Sequence, residues 1–151
     1  MKVSLIMPTI NVTKELDLFL QSLVQQTYQD FELIVVDQNP DRRVLDIVMK
    51  YEDKIEIKYI RSSQKGLSLN RNKGLIAREG EIIGFPDDDC EYQPDTIEKV
   101  VSFFEKKKAY RIYSCRTLER GKDYGTGIMS EQNLKLTKGN IEKTVNGING
   151  G

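Results

Sequence analysis

The residues with the clearest chemical potential are three consecutive carboxylates, Asp87, Asp88 and Asp89, which follow the apolar run EIIGF of residues 81–85. Three adjacent acids repel one another, a cost that a cation or hydrogen bonds must offset. Asp87 and Asp89, one residue apart, can face one cation across a tight turn. Hard oxygen ligands of this kind suit Mg²⁺ or Mn²⁺, completed by water and phosphate oxygens. The triplet also reads as a solvated acidic turn with an Asp capping the helix that follows. A further acid, Asp37, closes the apolar run FELIVV of residues 31–36. Nucleotide-binding α/β folds often place an acid there for ribose or base recognition. Asp37-Gln38-Asn39-Pro40 is also good turn chemistry.

Composition removes several chemistries. The 151 residues contain no histidine, which excludes Ser-His-Asp and Cys-His catalysis and His-ligated zinc. Catalysis must then rest on carboxylates, hydroxyls, lysines or an oxygen-bound metal. Two cysteines, Cys90 and Cys115, are too few for a disulfide framework and read as reduced thiols of a cytosolic protein. Lys plus Arg and Asp plus Glu both number 23, a balance unlike that of a nucleic-acid binder. The balance is uneven along the chain: residues 1–94 are net −4 and residues 95–151 net +4. No G-x-G-x-x-G or G-x-x-x-x-G-K-[ST] motif is present, which argues against a dinucleotide cofactor and a P-loop. No apolar run approaches the ~20 residues of a membrane span, and Pro8 breaks the only N-terminal stretch that resembles a signal peptide.

The elements that must position these acids follow from periodicity. Residues 3–7 (VSLIM) and 31–36 read as strands buried on both faces, the first stopped by Pro8. Residues 55–60 (IEIKYI) alternate and suit a strand nearer an edge, residues 81–85 a fourth strand, and residues 110–115 a fifth. Helical stripes occur at Leu16, Phe19, Leu20 and Leu23 after a Thr13 cap, and at Val44, Leu45, Val48 and Met49 after Asp41. Others run from Ser68 through Arg78 and, after Pro94 and Asp95, through Ile97, Val100, Val101 and Phe104. The expected fold is therefore α/β: a doubly wound, Rossmann-like, mainly parallel sheet with helices on both faces. Such sheets bind ligands beyond the strand carboxyl ends. A phospho-receiver has similar topology, but Pro8-Thr9 and Ser62-Ser63 stand where its acidic pair and phospho-acceptor would be.

Four segments, VSLIMPTIN, LVQQTYQDFELIVVDQN, KGLSLNRNKGLIAREGEIIGFPDDD and EYQPDTIEKV, cover about residues 2–105 in order. Together they resemble the N-terminal, nucleotide-sugar-binding part of a family 2 glycosyltransferase of the A-type fold. The resemblance implies a nucleotide-diphospho-sugar donor, UDP-sugar first among them, and Mn²⁺ or Mg²⁺. It also implies a saccharide or lipid-linked acceptor, an inverting, hexosyltransferase-like transfer, and a place in surface polysaccharide synthesis. Carried onto this sequence, Pro8 and Thr9 resemble the loop lining nucleobase and ribose, and Asp37 the acid contacting the nucleoside. Asp87 and Asp89 match the D-x-D acids, with Asp89 the metal ligand and Asp87 a ribose or metal-water contact. Asp88 fills the middle, donor-side position. Arg71 reads as a phosphate partner or as a member of a structural ion pair.

Two positions depart from the family pattern. A second acid often follows the one matching Asp37, and here it is Gln38; Cys90 replaces the acid after the D-x-D and reads as an inert thiol beside carboxylates. The resemblance assigns the acceptor base to the acceptor half, so none is assigned here; Glu119, Asp123 and Glu131 read as surface charges. Residues 1–115 are expected to form the nucleotide-sugar-binding core, and 116–151 a loop-rich extension, the start of a truncated acceptor region. Lys106-Lys107-Lys108 closes a helix where cations complement the dipole; an anionic lipid surface is its other reading. The expected location is cytoplasmic, at the inner membrane face if attached. A non-catalytic nucleotide-sugar-binding or interaction module of the same fold is the alternative function.

Overall fold

The computed structural model describes residues 1–115, 117, 118, 135 and 137. In chain order the elements are β1 (Val3–Thr9), α1 (Lys14–Val24), β2 (Phe31–Asp37), α2 (Arg43–Val48), β3 (Glu56–Arg61), α3 (Leu67–Ala77), β4 (Ile82–Gly84) and α4 (Thr96–Lys106). The four strands form one parallel sheet in the order β3-β2-β1-β4. Every residue of β1 and β2 is buried, which is why both read as unbroken apolar runs, whereas the alternating β3 lies at an edge.

Successive strand residues face opposite sides, so each side has its own core. Val3, Leu5, Met7, Leu33 and Val35 pack against Leu16, Phe19, Leu20 and Leu23 of α1, Val44 and Val48 of α2, and Ile97 and Val101 of α4. Ile6, Ile34 and Val36 face the other way, toward Leu75 and Ala77 at the end of α3. This second layer is thin because α3 lies hard on the sheet. A Cβ on Gly74 would sit 2.3 Å from Ile6 Cγ2, so only glycine allows this approach.

Several expectations are corrected. Pro8 does not stop β1: the strand runs on to Thr9, with Pro8 opposite Val36. The Lys2 carbonyl accepts from β4, whereas the Thr9 carbonyl accepts the Gln38 N–H after β2, so even-numbered residues aim their polar groups at β4. The donor that Pro8 lacks is therefore missing on a side where β4 pairing has already ended opposite Leu5. Pro86 has no N–H to continue that ladder, and β4 is only three residues long. Residues 110–115 form no strand; side chains 111–115 stand exposed, so their alternation has no sheet face to cover. Thr13 precedes α1 but makes no capping bond, whereas Asp41 Oδ1 accepts the Arg43 N–H at 3.1 Å. The chain divides into compact units Met1–Tyr110 and Arg111–Gly151, and Glu119, Asp123 and Glu131 lie outside the described residues.

The return from α3 to β4 is fixed by a buried acid. Glu32 Oε1 accepts Ser4 Oγ–H at 2.5 Å and the Glu79 N–H at 2.6 Å, while Gly80 N–H donates to Ser4 Oγ at 2.7 Å. Lys58 Nζ lies 2.7 Å from Glu32 Oε2. Burial opposes ionisation of Glu32, but Lys58, Ser4 and the Glu79 amide outweigh it and bring the carboxyl down to about 2. Because that lies below its ordinary 4.5, Glu32 favours folding above that pH, and the benefit is lost as pH falls through about 2. Glu32→Gln should cost on the order of 3 kcal/mol near neutrality. Urea unfolding should show the gap to wild type closing between pH 4.5 and about 2; a gap that stays constant would contradict this role.

Candidate functional site

From β1 the chain steps through α1 to β2 on one side, and it returns through α3 to β4 on the other. The carboxyl ends of β1 and β4 therefore flank the point where strand order reverses, the usual ligand position in such sheets. A cleft of about 310 Å³ opens there. Pro8 and Ile10 from the end of β1 and Gln38 from the end of β2 form one part of its lining. Lys65, Gly66 and Leu67, entering α3, and Asp87 and Asp88, after β4, form the rest. A shallower depression of about 450 Å³ runs along α4, from Asp95, Glu98 and Lys99 to Lys106 and Lys107, and none of Asp37, Arg71 or Asp87–Asp89 lines it.

Of the residues expected from sequence, Pro8, Asp87 and Asp88 line the cleft. Thr9 is buried behind it, and its Oγ1 has no hydrogen-bond partner. Asp89 is exposed on the Asp88–Asp89 turn and is not among the lining residues. Asp37 lies beneath, 0% exposed. Its Oδ1 accepts both the Asn39 N–H at 2.8 Å and Asn39 Nδ2 at 2.7 Å, and its Oδ2 accepts the Tyr59 hydroxyl at 2.5 Å. Burial and the Asp37 charge push the Tyr59 phenol up to about 12, so it remains a donor.

The bond to Asp37 fixes the orientation of the Asn39 amide. Its Oδ1 is left to accept the Asn11 N–H at 2.9 Å, and Asn11 sits in the left-handed region at φ 63°. Asp37 thus shapes the loop after β1 through Asn39. Asn39, Asn11 and Tyr59 were not singled out from sequence; the available signal was a run of polar residues ending a wholly buried strand. The entry to α3 is equally tied. Lys73 Nζ donates to Ser62 Oγ at 2.7 Å, and Asn70 Nδ2 donates to the Gln64 and Gly66 carbonyls at 2.9 and 2.8 Å.

On the acidic side, Arg71 Nη2 stands 3.4 Å from Asp87 Oδ1, and its guanidinium lies over Phe85, 5.5 Å from the ring centre. Arg71 Nε is buried without a partner. Burial raises the Asp88 carboxyl; the nearby Thr9 hydroxyl opposes this outside regular hydrogen-bond geometry, and the Asp89 charge adds to it. Cys90 is pushed up to about 11, first by burial and only then by Asp87 and Asp89, so the thiol is inert mainly for a reason other than its acidic neighbours.

Asp87 and Asp88 on the cleft lining and Asp89 on the adjoining turn are hard-oxygen donors of the kind a divalent cation takes, and Asp88 is destabilised by burial and the Asp89 charge. The three carboxylates do not converge within 4.8 Å of one another as a preformed cage would. The one acidic trio among the described residues whose carboxylate oxygens do converge, Glu32, Glu56 and Glu79, already has its counter-charges. Lys2 lies 2.9 Å from Glu56 and 3.1 Å from Glu79, and Lys58 pairs with Glu32 and Glu79, so two ammonium groups already bridge the three carboxylates.

Comparison with known proteins agrees with this architecture. The family model described as "Glycosyl transferase family 2" matches residues 4–148. The chain belongs to that family. This glycosyltransferase-family chain is 37% identical over 97 residues to chondroitin synthase of Pasteurella multocida, covering 62% of the chain and 10% of that protein. It is 33% identical over 110 residues to the poly(ribitol-phosphate) β-N-acetylglucosaminyltransferase TarS of Staphylococcus aureus, covering 70% of the chain and 19% of TarS. A crystal structure of S. aureus TarS 1-349 in complex with UDP-GlcNAc superposes with a TM-score of 0.67 at 33% identity, over 72% of this chain and 32% of that one. The chain spans between 10% and 47% of the length of the first curated relatives it matches. The fold class and the family read from sequence both hold.

Removing the Asn39 side chain would leave the buried Asp37 carboxylate short of a donor and the Asn11 N–H without its acceptor. Asn39→Ala should therefore cost about 2–3 kcal/mol in urea unfolding, and Tyr59→Phe, which removes one donor, should cost less. A neutral Asn39→Ala would show that this network does not hold the site loops.

Proposed function

We propose that this chain is the donor-binding part of a glycosyltransferase that takes a nucleotide-diphospho-sugar, UDP-sugar in particular, together with Mn²⁺ or Mg²⁺. The sugar would pass, in an inverting, hexosyltransferase-like reaction, to a saccharide or lipid-linked acceptor in surface polysaccharide synthesis. The observation that carries this reading is the strand-end cleft, with an acidic turn facing the entry of α3, in a chain one-third identical to the TarS that was crystallised with UDP-GlcNAc.

Each wall has a task in this reading. Pro8 offers an apolar surface to the nucleobase, and Thr9, buried behind it, backs that wall with its hydroxyl near Asp88. Asp37, its oxygens already engaged, supports the nucleoside from below through Asn39 and Asn11. Asp89 and Asp87 would hold the cation, with Asp88 on the donor side. When bound, the ion offsets the negative charge of the diphosphate leaving group. Arg71 combines its two readings: it pairs with Asp87 at long range and keeps donors free for a phosphate. Residues 116–151 belong, in this reading, to the acceptor-binding region. Among the described residues no helix is long and apolar enough to cross a membrane; the proposed place is cytoplasmic, with Lys106–Lys108 available to an anionic inner membrane face.

Calorimetry with UDP tests the reading. Wild type should bind UDP with Mn²⁺ and lose most of that affinity in chelator, and Asp89→Ala should lose about tenfold or more in the presence of metal. Equal binding with and without chelator, or full metal-dependent binding by Asp89→Ala, would contradict the metal assignment. Transfer from UDP-GlcNAc by the full-length protein separates an enzyme from a binding module.

A further inference from the structure

Gln38 is an uncharged polar side chain in a cleft that also carries Lys65, Asp87 and Asp88, and it is only 8% exposed. Its Oε1 accepts the Gly66 N–H at 2.9 Å, and its Nε2 reaches the Thr9 carbonyl at 3.4 Å. Its own backbone N–H donates to that same carbonyl at 3.0 Å. The amide can be oriented in only one way, because Gly66 N–H only donates and the Thr9 carbonyl only accepts. One side chain from the end of β2 therefore joins the two walls of the cleft: Thr9 lies between the lining residues Pro8 and Ile10, and Gly66 lies between Lys65 and Leu67. Gly66 has φ 132°, a conformation that glycine adopts without strain and side-chain-bearing residues rarely do.

We propose that Gln38 is a positioning residue that sets the separation of the two cleft walls, its carboxamide joining Gly66 to Thr9 within the protein. The functional consequence rests on the donor-binding reading above; the clasp itself does not. An acid at this position would keep an acceptor for Gly66. It would have no proton for Thr9 and would add charge beside Asp87 and Asp88.

Residue-resolved amide hydrogen exchange, run beside UDP calorimetry on the full chain, tests this. In Gln38→Met, Gly66 exchange should accelerate about tenfold, the worth of one hydrogen bond, with β1 and β2 amides unchanged and UDP affinity reduced by a similar factor. Gln38→Asn, one methylene shorter, should behave alike, whereas Gln38→Glu should restore Gly66 protection. Unchanged Gly66 exchange in the Met and Asn variants would overturn the proposal, as would UDP affinity lost while Gly66 stays protected, which would mark a direct ligand contact. If wild type binds no UDP, the donor reading fails, and Gly66 exchange still decides the clasp.

Discussion

A carboxylate removed from water must find its donors within the protein, because an unpaired buried charge costs several kcal/mol, a large fraction of a domain's stability. Strand β2 ends in such a group. Asp37 is wholly buried and draws the Asn39 backbone, the Asn39 amide and the Tyr59 hydroxyl onto its two oxygens. Those three donors determine the shape of everything above them. With its amino group committed, Asn39 turns its oxygen to Asn11 and fixes the loop after β1. Tyr59 ties edge strand β3 to the centre, and the Asp37 carbonyl receives the Ser62 N–H, so the chain leaves β3 toward α3 in a set direction.

The same device works at the other end of the strand. Glu32, also wholly buried, gathers Ser4, Lys58 and the Glu79 amide, and so fixes where the chain turns from α3 into β4. Between the two acids, β2 is purely apolar and packs on both faces. One end of the sheet is thus an ion-paired base and the other an open cleft. The distinction lies in the partners: lysines fill the basal acids, whereas Asp88 and Asp89 have no ammonium partner among the described residues.

Burial itself was legible in the sequence. The unbroken runs of β1 and β2, the alternation of β3 and the helical stripes at Leu16–Leu23 and Ile97–Val101 record it directly. Less legible was anything that depends on which side of a strand a group faces. Pro8 looked like a stop because its missing donor counts against a strand, yet that donor points to a ladder that had already ended. Residues 110–115 carry strand-like alternation without a face to cover. In the site, Asp87 and Asp88 were readable because an acidic run is a local pattern. The bonds of Asn39 to Asn11, of Tyr59 to Asp37 and of Gln38 to Gly66 join residues 22 to 28 positions apart, and no local pattern carries them.

The central claim is that the cleft between the ends of β1 and β4 holds the nucleotide part of the donor. A crystal structure of the full-length protein with UDP and Mn²⁺ tests this most directly. The account predicts the uracil beside Pro8 and Ile10, the diphosphate toward Arg71 and the acidic turn, and metal density at Asp89. UDP in the depression along α4, or UDP at the strand ends with its diphosphate turned away from residues 87–89, would contradict it.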